Sequence, residues 1–352
     1  MQHLVDQLGQ FIRDAGARRR PLRIRGGGSK DFFGGELLGE VLDTRPYSGI
    51  VDYEPTELVI TARAGTPLTA VEAAMRQRGQ MLGFEPPHFD EGATLGGCVA
   101  AGLSGPRRPY AGSVRDLVLG IRMLDGTGRD LSFGGQVMKN VAGYDVSRLM
   151  AGSLGTLGVL LEVSLKALPI PHAELTLRRE HAAADAIELM NAWAGAPLPI
   201  TATCHVDNQV YVRLSGAEPA VRGAQQKLGG EVVEDGTTFW RQVRDHQLAF
   251  FRTQGPLWRV SLKSTAPPLA FDAPQLIEWS GALRWIAADL DPLLVREHAA
   301  RGGGHATLFR GGDKKAGVMQ PLTPALGALH RRLKQTFDPH GILNRGRLYP
   351  DF

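Results

Sequence analysis

The chain has 352 residues, enough for two domains, and its 43% hydrophobic and 22% charged residues are ordinary for a folded globular protein. Its net charge of +4 is too small and too scattered to predict a nucleic-acid partner. The two cysteines, Cys98 and Cys204, exclude a disulfide framework and cannot supply the thiolate ligands of an iron–sulfur cluster.

The sequence also carries no signal for membrane insertion or export. No apolar stretch reaches the ~18 residues that span a bilayer, and the first 22 residues lack a signal-peptide pattern. These features predict a cytoplasmic protein. The basic run at residues 18–20 is read as a solvated helix end, with contact to the inner face of the membrane as the alternative.

The first half of the chain predicts a mixture of helices and strands. Leu4, Leu8, Phe11 and Ile12 fall on one stripe of an N-terminal helix, which precedes a strand at residues 22–25. Further patterns predict a strand at 57–64, a helix opened by Thr66 and Pro67, a strand pair at 114–124 and 128–133, and a strand that follows the glycine turn at 152–158.

A glycine turn at residues 25–34 follows the first of these strands. Gly26, Gly27 and Gly28 allow the backbone to approach a ligand closely. Successive glycines can also direct several N–H groups into one concavity that binds phosphate. On these residues alone, a phosphate cradle and a plain turn between strands are equal alternatives.

A second glycine-rich region spans residues 92–112. Only small residues lie between many of its glycines, among them Thr94 and Ser104. Such a segment leaves room for a bulky ligand against its backbone, and close packing between two elements is the alternative.

The pattern changes after Pro171. Strands and helices then alternate with antiparallel hairpins, including one at 200–214 that turns at residues 207–208 and a helix that ends at Arg301. This alternation predicts a ferredoxin-like α+β layer. The last helix, opened by Thr323 and Pro324, is predicted to bury Leu326, Leu329, Leu333 and Phe337.

Four ordered stretches together resemble one family: residues 25–34, 92–112, 139–145 with 152–159, and 337–344. The family is the PCMH-type FAD-binding family of vanillyl-alcohol oxidase and flavin lactate dehydrogenases. Within it, the chain is similar to the FAD-binding subunits of bacterial glycolate oxidase.

The resemblance implies an α+β fold with a two-lobed PCMH-type FAD-binding domain and a ferredoxin-like α+β cap domain. The FAD domain is expected at residues 1–171, with lobes at about 1–55 and 56–171, and the cap or substrate-side domain at 172–320. Residues 321–352 are expected to form a C-terminal helix and tail that return to the flavin domain.

The resemblance also implies residues that bind the cofactor through both lobes and the tail. The first turn would hold the FAD pyrophosphate, and the second glycine region would follow the pyrophosphate and the isoalloxazine. The adenine or ribose would meet main-chain groups near residue 158, and the C-terminal tail would return to the flavin. The implied residues are Arg25, Gly26, Gly27, Gly28, Ser29, Lys30, Thr94, Gly96, Gly97, Ser104, Gly105, Tyr110, Gly158, Val159 and Asn344.

Non-covalent FAD is expected, because the positions that attach flavin in some relatives lack the required residues. Ser29 stands where a His would be needed, and residues 86–92 contain no Cys. Cys98 is interpreted as a small packing residue.

The chain departs from hydroxy-acid-oxidising relatives in the cap. His298 and His305 have the spacing of their metal-binding histidines, but no acid or amide lies between them, so no metal site is expected. His205, His246 and His330 are interpreted as surface or structural residues. Leu154 replaces a Glu that is common in relatives.

The catalytic groups therefore remain unassigned. A cation of the cap could hold the substrate carboxylate. The alternative is that each of these cations is ordinary surface charge. Arg310 and Lys314, beside Gly311 and Gly312, are preferred among Arg259, Lys263, Arg284, Arg310, Lys314 and Lys315.

The expected function is that of an FAD-binding subunit in a glycolate oxidase or dehydrogenase complex, which oxidises glycolate to glyoxylate and passes electrons through flavin to a partner. The resemblance implies a sister FAD-linked catalytic subunit, an iron–sulfur subunit, and glycolate or a similar small 2-hydroxy acid as substrate. A stand-alone FAD-dependent 2-hydroxy acid dehydrogenase and a non-catalytic flavin-binding assembly subunit are the alternatives.

Overall fold

A computed structural model describes residues 1–135 and 145–352, so residues 139–144 of one recognised stretch lie outside the described residues. The chain begins with α1 (Gln2–Ala17), which covers a parallel pair of strands, β1 (Leu22–Arg25) and β2 (Glu40–Asp43). The buried stripe of α1 is rotated from the predicted one. Val5, Ile12 and Ala15 enter the core, whereas Leu4, Leu8 and Phe11 border it.

The second lobe is built on a five-stranded antiparallel sheet in the order β3-β4-β8-β6-β7. Short helices pack around it. Its elements are β3 (Ile50–Glu54), β4 (Val59–Arg63), α2 (Leu68–Arg76), β5 (Gln80–Met81), α3 (Leu95–Ala101), α4 (Arg108–Ala111), α5 (Val114–Leu117), β6 (Val118–Leu124), β7 (Asp130–Gly134), α6 (Val146–Leu149), β8 (Val159–Lys166) and β9 (Leu168–Pro169).

The predicted strand at 114–124 is wrong at its start. Residues Val114–Leu117 form α5 because Ser113 and Asp116 make a capping box, in which the Asp116 carboxylate accepts hydrogen bonds from the Ser113 N–H at 2.9 Å and its hydroxyl at 2.8 Å. The strand begins only at Val118. The capping signal therefore outweighs the strand propensity of Val114.

The cap contains an eight-stranded antiparallel sheet in the order β13-β10-β12-β11-β15-β16-β14-β17. Its first four strands have the ferredoxin-like order that the sequence predicts. The elements are β10 (Ala173–Glu180), α7 (Ala183–Ala194), β11 (Ile200–Val206), β12 (Gln209–Gly216), α8 (Glu218–Leu228), β13 (Glu231–Val232), α9 (Gly236–Arg244), β14 (Leu257–Ser261), β15 (Gln275–Glu278), β16 (Leu283–Ala287), α10 (Pro292–Arg301) and β17 (His305–Arg310).

The cap and the flavin-side lobes share one hydrophobic core. Phe33, Leu103 and Leu154 pack in the same buried cluster as Trp285 and Phe309 of the cap. Burial of apolar surface stabilises this contact by roughly 25 cal/mol per Å². The shared cluster fixes the cap over the glycine segments.

The C-terminal helix α11 (Pro324–Phe337) returns to the flavin side, and the tail after it forms a parallel bridge between Leu343 and Leu22. The predicted apolar face is wrong at two positions, since Leu326 and Leu329 are 48% and 43% exposed. The helix is held instead by buried Lys334, whose Nζ donates to the carbonyls of Thr156 and Leu343 at 2.8 Å each.

None of the helices in the described part of the chain combines the length and the apolar composition needed to traverse a bilayer.

Candidate cofactor cleft and an adjoining cavity

The first glycine turn lines a cleft of about 760 Å³ between the two lobes. The backbone N–H groups of five consecutive residues, Gly26–Lys30, make no hydrogen bond within residues 1–135 and 145–352. Unsatisfied N–H groups on successive residues are the donors of an anion-binding nest. The turn is therefore equipped to bind a phosphate rather than only to connect strands.

Glycine is required here because the two glycine segments touch. A Cβ on Gly27 would lie 1.4 Å from the carbonyl oxygen of Gly92, and one on Gly26 would lie 2.2 Å from Thr94 Oγ1. The two backbone segments are so close that a methyl group could fit between them only if they moved apart and opened the cleft. The contact brings the second lobe against the first turn.

The opposite wall of the cleft is formed by α3. The Thr94 hydroxyl accepts a hydrogen bond from the Gly97 N–H at 3.3 Å and caps the helix. Gly96, Gly97 and Ala100 line the cleft, and Gly96 also packs against Ala64, where a Cβ would come within 2.6 Å. Both interpretations of the small-residue run therefore hold, since it packs closely and also leaves room for a ligand.

Asn344 joins the tail to two walls of the cleft. Its Oδ1 accepts from the Ile24 N–H at 2.7 Å, and its Nδ2 donates to the Leu154 carbonyl at 2.6 Å. Asn344 and Leu154 both have positive φ, at 41° and 51°, where non-glycine residues are uncommon. Two strained residues are thus locked together at the cleft by one side chain.

The charges beside the turn are partly neutralised. Arg25 Nε donates to Asp31 at 3.0 Å, and Arg23 pairs with the same carboxylate. Lys30 Nζ donates to Ser29 Oγ at 3.2 Å, and burial lowers the pKa of Lys30 below its ordinary value.

Arg347 also lines the cleft, although no sequence pattern predicts it there. Its guanidinium donates to the carbonyls of Phe33 and Gly35, and burial lowers its pKa to about 10. Arg347 gives no sequence signal for this role, because its partners are backbone carbonyls about 310 residues away.

Some sequence-predicted cofactor residues lie outside this cleft. Ser104 and Gly105 line an adjoining cavity, and Tyr110 is paired through its hydroxyl with Ser280 Oγ at 3.0 Å. The side chain of Val159, at the start of β8, is fully buried in the cluster that the second lobe shares with α1. The predicted residues that do line the cleft are Arg25, Gly26, Gly27, Gly28, Ser29, Lys30, Thr94, Gly96, Gly97, Gly158 and Asn344.

The preferred carboxylate-binding residues are engaged elsewhere. Arg310 Nη2 donates to the Phe251 carbonyl at 2.5 Å. Lys314 Nζ donates to the carbonyls of Phe32 and Gly34 at 3.0 and 2.9 Å. Neither Arg310 nor Lys314 lines the cleft or the adjoining cavity, so the preference for them stays a prediction that these contacts do not support.

The adjoining cavity, of about 310 Å³, lies between the 103–106 turn and the cap sheet. Arg259 and Glu278 line it. Burial lowers the pKa of Arg259 to about 10 and raises that of Glu278 to about 7. Trp285 Nε1 donates to Glu278 Oε1 at 2.8 Å.

His246 also lines this cavity, which excludes the surface alternative of its interpretation and leaves the structural one open. Its ring stacks on Phe251 at 3.9 Å between centroids and lies within 5.2 Å of Phe89, Trp285 and Phe309. These rings come from distant parts of the chain, so periodicity could not identify the site.

In the described residues, no group of three or more His, Cys, Asp or Glu is placed to hold a metal ion. His298 is exposed on α10, where its Nδ1 contacts the Leu294 carbonyl at 2.8 Å, and His305 begins β17.

The two lobes, the cleft with its unsatisfied N–H groups and the α+β cap define an FAD-linked oxidoreductase fold. Residues 3–134 match the family model described as an FAD binding domain, and residues 310–348 match that of the FAD linked oxidases, C-terminal domain. The structure of p-cresol methylhydroxylase with substrate bound shares the fold, with a TM-score of 0.75 at 14% identity over 99% of this chain and 87% of that one.

Sequence relatives define the family more closely. Glycolate oxidase subunit GlcE of Escherichia coli (strain K12) is 51% identical over 99% of this chain and 97% of its own length. Glycolate oxidase subunit GlcD of Bacillus subtilis (strain 168) is 29% identical over 49% of this chain and 37% of its own length. The chain belongs to the GlcE family of FAD-linked oxidases, and its cofactor is FAD.

Proposed function

We propose that this chain is the FAD-binding subunit of a complex that oxidises glycolate to glyoxylate and passes electrons through flavin to a partner. The GlcE relative matches nearly its whole length, at 51% identity. The structural observation that carries the proposal is the cleft, where the five N–H groups of Gly26–Lys30 find no partner among the described residues.

In this proposal the FAD pyrophosphate is bound by the N–H groups of the first turn and by Thr94, Gly96 and Gly97 across the cleft. Two negative charges beside such a nest offset the desolvation of its donors. Asn344 and Gly158 complete the cleft. Ser104 and Gly105, in the adjoining cavity, are assigned to the isoalloxazine end.

The flavin is proposed to be non-covalent. Ser29 occupies the first attachment position and makes a hydrogen bond with Lys30. Cys98 is buried within α3, and burial raises the pKa of its thiol to about 12. A thiol of that kind is a poor nucleophile at neutral pH.

The proposed partners are a sister FAD-linked catalytic subunit and an iron–sulfur subunit, with the complex at the cytoplasmic side of the membrane. Two relatives named as different glycolate oxidase subunits support an assembly of unlike chains. Two cysteines cannot ligate an iron–sulfur cluster, so electrons that leave the flavin need an acceptor on another chain.

The test is to purify this chain and its candidate partners separately and to follow glycolate-dependent dye reduction. Acid precipitation of the chain is expected to release all of its FAD into the supernatant. Activity is expected only when the subunits are combined. A chain that stays colourless after incubation with FAD would overturn the cofactor assignment, and full activity without this chain would overturn its role in the complex.

A second candidate, a stand-alone FAD-dependent 2-hydroxy acid dehydrogenase, is favoured by the cavity that contains Arg259 and His246. Bleaching of the isolated FAD-loaded chain by glycolate, at the rate of the complex, distinguishes it from the subunit proposal.

A further inference from the structure

The cavity beside the cofactor cleft is small and closed by aromatic rings. Phe89, Trp285 and Phe309 form much of its wall, and Leu103 and Gly105 close it from the flavin side. The C-terminal end of α3 lines the cleft, and the chain that follows it lines this cavity. A ligand here would lie at the end of the cofactor cleft.

Arg259 places a cation in this cavity. It lies in the middle of β14, opposite Trp285 of β16 and Thr307 of β17. Its guanidinium has no ion pair or hydrogen bond to any described residue, although the Trp279 ring lies 5.2 Å away and the Glu278 carboxyl interacts with it electrostatically when ionised. An arginine that is largely withdrawn from water is costly unless an anion offsets its charge.

The other buried arginines of the cap contrast with it. Arg213 pairs with Glu85 at 2.8 Å, and Arg284 donates to the carbonyls of Gly281 and Ala266. Among the described residues, the N–H groups of Arg259 thus have no hydrogen-bond acceptor, and they are free for a ligand while the nearby Glu278 carboxyl is neutral.

His246 is the second polar group of the cavity. Its Nδ1 is buried and has no hydrogen-bond partner in the described residues. Its φ of 56° is uncommon for a non-glycine residue, and backbone strain of this kind concentrates at functional sites. Burial, together with Arg310 and Arg259, keeps the pKa of His246 well below its ordinary value, so the imidazole is neutral.

We propose that this cavity binds a small carboxylate, with the Arg259 guanidinium holding the carboxylate oxygens and His246 forming a hydrogen bond to the adjacent hydroxyl or carbonyl oxygen. The inference rests on the proposed function for its ligand class, the 2-hydroxy and 2-oxo acids. A guanidinium suits this role because its planar N–H groups match a carboxylate bidentately. The surrounding rings favour a two-carbon acid over a longer one.

The test is calorimetric titration of the FAD-loaded full chain with glyoxylate, which does not reduce flavin, with 2-oxoglutarate as the larger probe. Wild-type chain is expected to bind glyoxylate saturably and 2-oxoglutarate more weakly. Arg259→Met is expected to weaken glyoxylate binding at least tenfold, since it removes the charge-assisted hydrogen bonds to the carboxylate. Arg252→Met, at an exposed arginine of the cap, is the matched control and is expected to bind normally.

Two further variants guard against misfolding. Arg259→Lys keeps the charge and is expected to restore part of the affinity, and His246→Asn keeps a residue that tolerates positive φ while removing the imidazole. FAD content and melting temperature are measured for each protein. A wild-type chain that retains FAD but binds no glyoxylate overturns this inference alone, as does normal binding by Arg259→Met. Loss of FAD from wild type overturns the proposed function instead.

Discussion

Single residues determine the shape of the cofactor cleft. Gly27 and Gly92 touch through their backbones, and Asn344 holds Ile24 and Leu154 at fixed positions across the cleft. These contacts fix the position of the backbone around the cleft. None of them adds a side chain that would bind FAD directly. The nest is therefore sensitive to changes that add a single methyl group.

Gly27→Ala is expected to abolish FAD binding, because its Cβ would lie 1.4 Å from the Gly92 carbonyl oxygen. The FAD-to-protein absorbance ratio of the purified variant measures the effect. Gly223→Ala is the matched control. Its Cβ meets no atom within 4 Å in α8, and alanine is expected to stabilise that helix by about 0.5–1 kcal/mol. A Gly27→Ala chain with full FAD content would contradict the nest assignment.

Glu278 is expected to make carboxylate binding depend on pH. Burial raises its pKa to about 7, so its carboxyl is neutral below that pH and ionised above it. The ionised form attracts Arg259 and repels a bound carboxylate, so glyoxylate affinity is expected to fall as pH rises from 6 to 8. The groups that face Glu278 are Arg259, Glu85, Trp285 and Cys204, and burial keeps the Cys204 thiol neutral in this range.

Glu278→Gln is expected to remove most of this pH dependence while it preserves the hydrogen bond from Trp285. Calorimetric titrations at three pH values measure the slope for both proteins. An equal slope in the variant and the wild type would show that another group titrates.

At the scale of elements, turn and capping signals predicted more than apolar stripes did. The hairpin of β11 and β12 turns at residues 207–208, and α10 ends at Arg301, both as predicted. The stripe of α11 is confirmed at Leu333 and Phe337, which pack against the core, and wrong at Leu326 and Leu329, and the buried anchor of the helix is Lys334. A lysine is normally expected at the surface. Lys334 is buried because two carbonyls and a carboxylate surround its ammonium group, and the sequence does not show these partners.

One part of the candidate site could be predicted from the sequence, and another part could not. The glycine turn could be recognised because three consecutive glycines in one short segment indicate an unusual backbone conformation. The Arg259 cavity could not, because Arg259, His246 and Glu278 come from separate elements that only the cap sheet brings together. Side chains that converge from distant strands leave no local pattern to recognise.

Lys334→Met is expected to destabilise the chain by about 3–5 kcal/mol, because it leaves the buried Asp338 carboxylate, now 2.7 Å from Nζ, without its cation. The carbonyls of Thr156 and Leu343 would lose their donor as well. Urea unfolding measures the loss. Lys315→Met, at an exposed lysine in the cap, is the control and is expected to change stability by less than about 0.5 kcal/mol.

At the scale of the whole molecule, an ion-pair network connects the flavin side to the cap. Glu85 pairs with Arg107 at 3.2 Å and with Arg213 at 2.8 Å, and Arg107 also pairs with Glu174 at 2.9 Å. Glu85 and Arg107 precede the cap in the chain, whereas Arg213 and Glu174 lie on its sheet. The network therefore fixes the cap over the cavity.

The network is expected to make cap docking sensitive to acid. Burial alone would raise the pKa of Glu85, but Arg213 and Arg107 hold it below its ordinary value. A depressed carboxyl pKa contributes stability above about pH 4.3, the unfolded value, and this stability is lost as pH falls through the folded pKa. Melting temperatures of wild type and Glu85→Gln are expected to converge below about pH 4.

The control for this comparison is Glu231→Gln, whose partner Arg178 forms an ion pair with side chains 50% and 72% exposed. Exposed pairs contribute about 0–1 kcal/mol, so this variant is expected to follow wild type at every pH. If Glu85→Gln melts like wild type at pH 7, the network does not stabilise the cap.

The proposed function requires that this chain's flavin lies on the electron path from glycolate. The most direct measurement is an anaerobic titration of the assembled complex with glycolate, in which the reduced flavin is counted from its absorbance. Complex with wild-type chain is expected to reduce one more flavin per assembly than complex with Gly27→Ala. Equal numbers of glycolate-reducible flavins in the two complexes would contradict the claim.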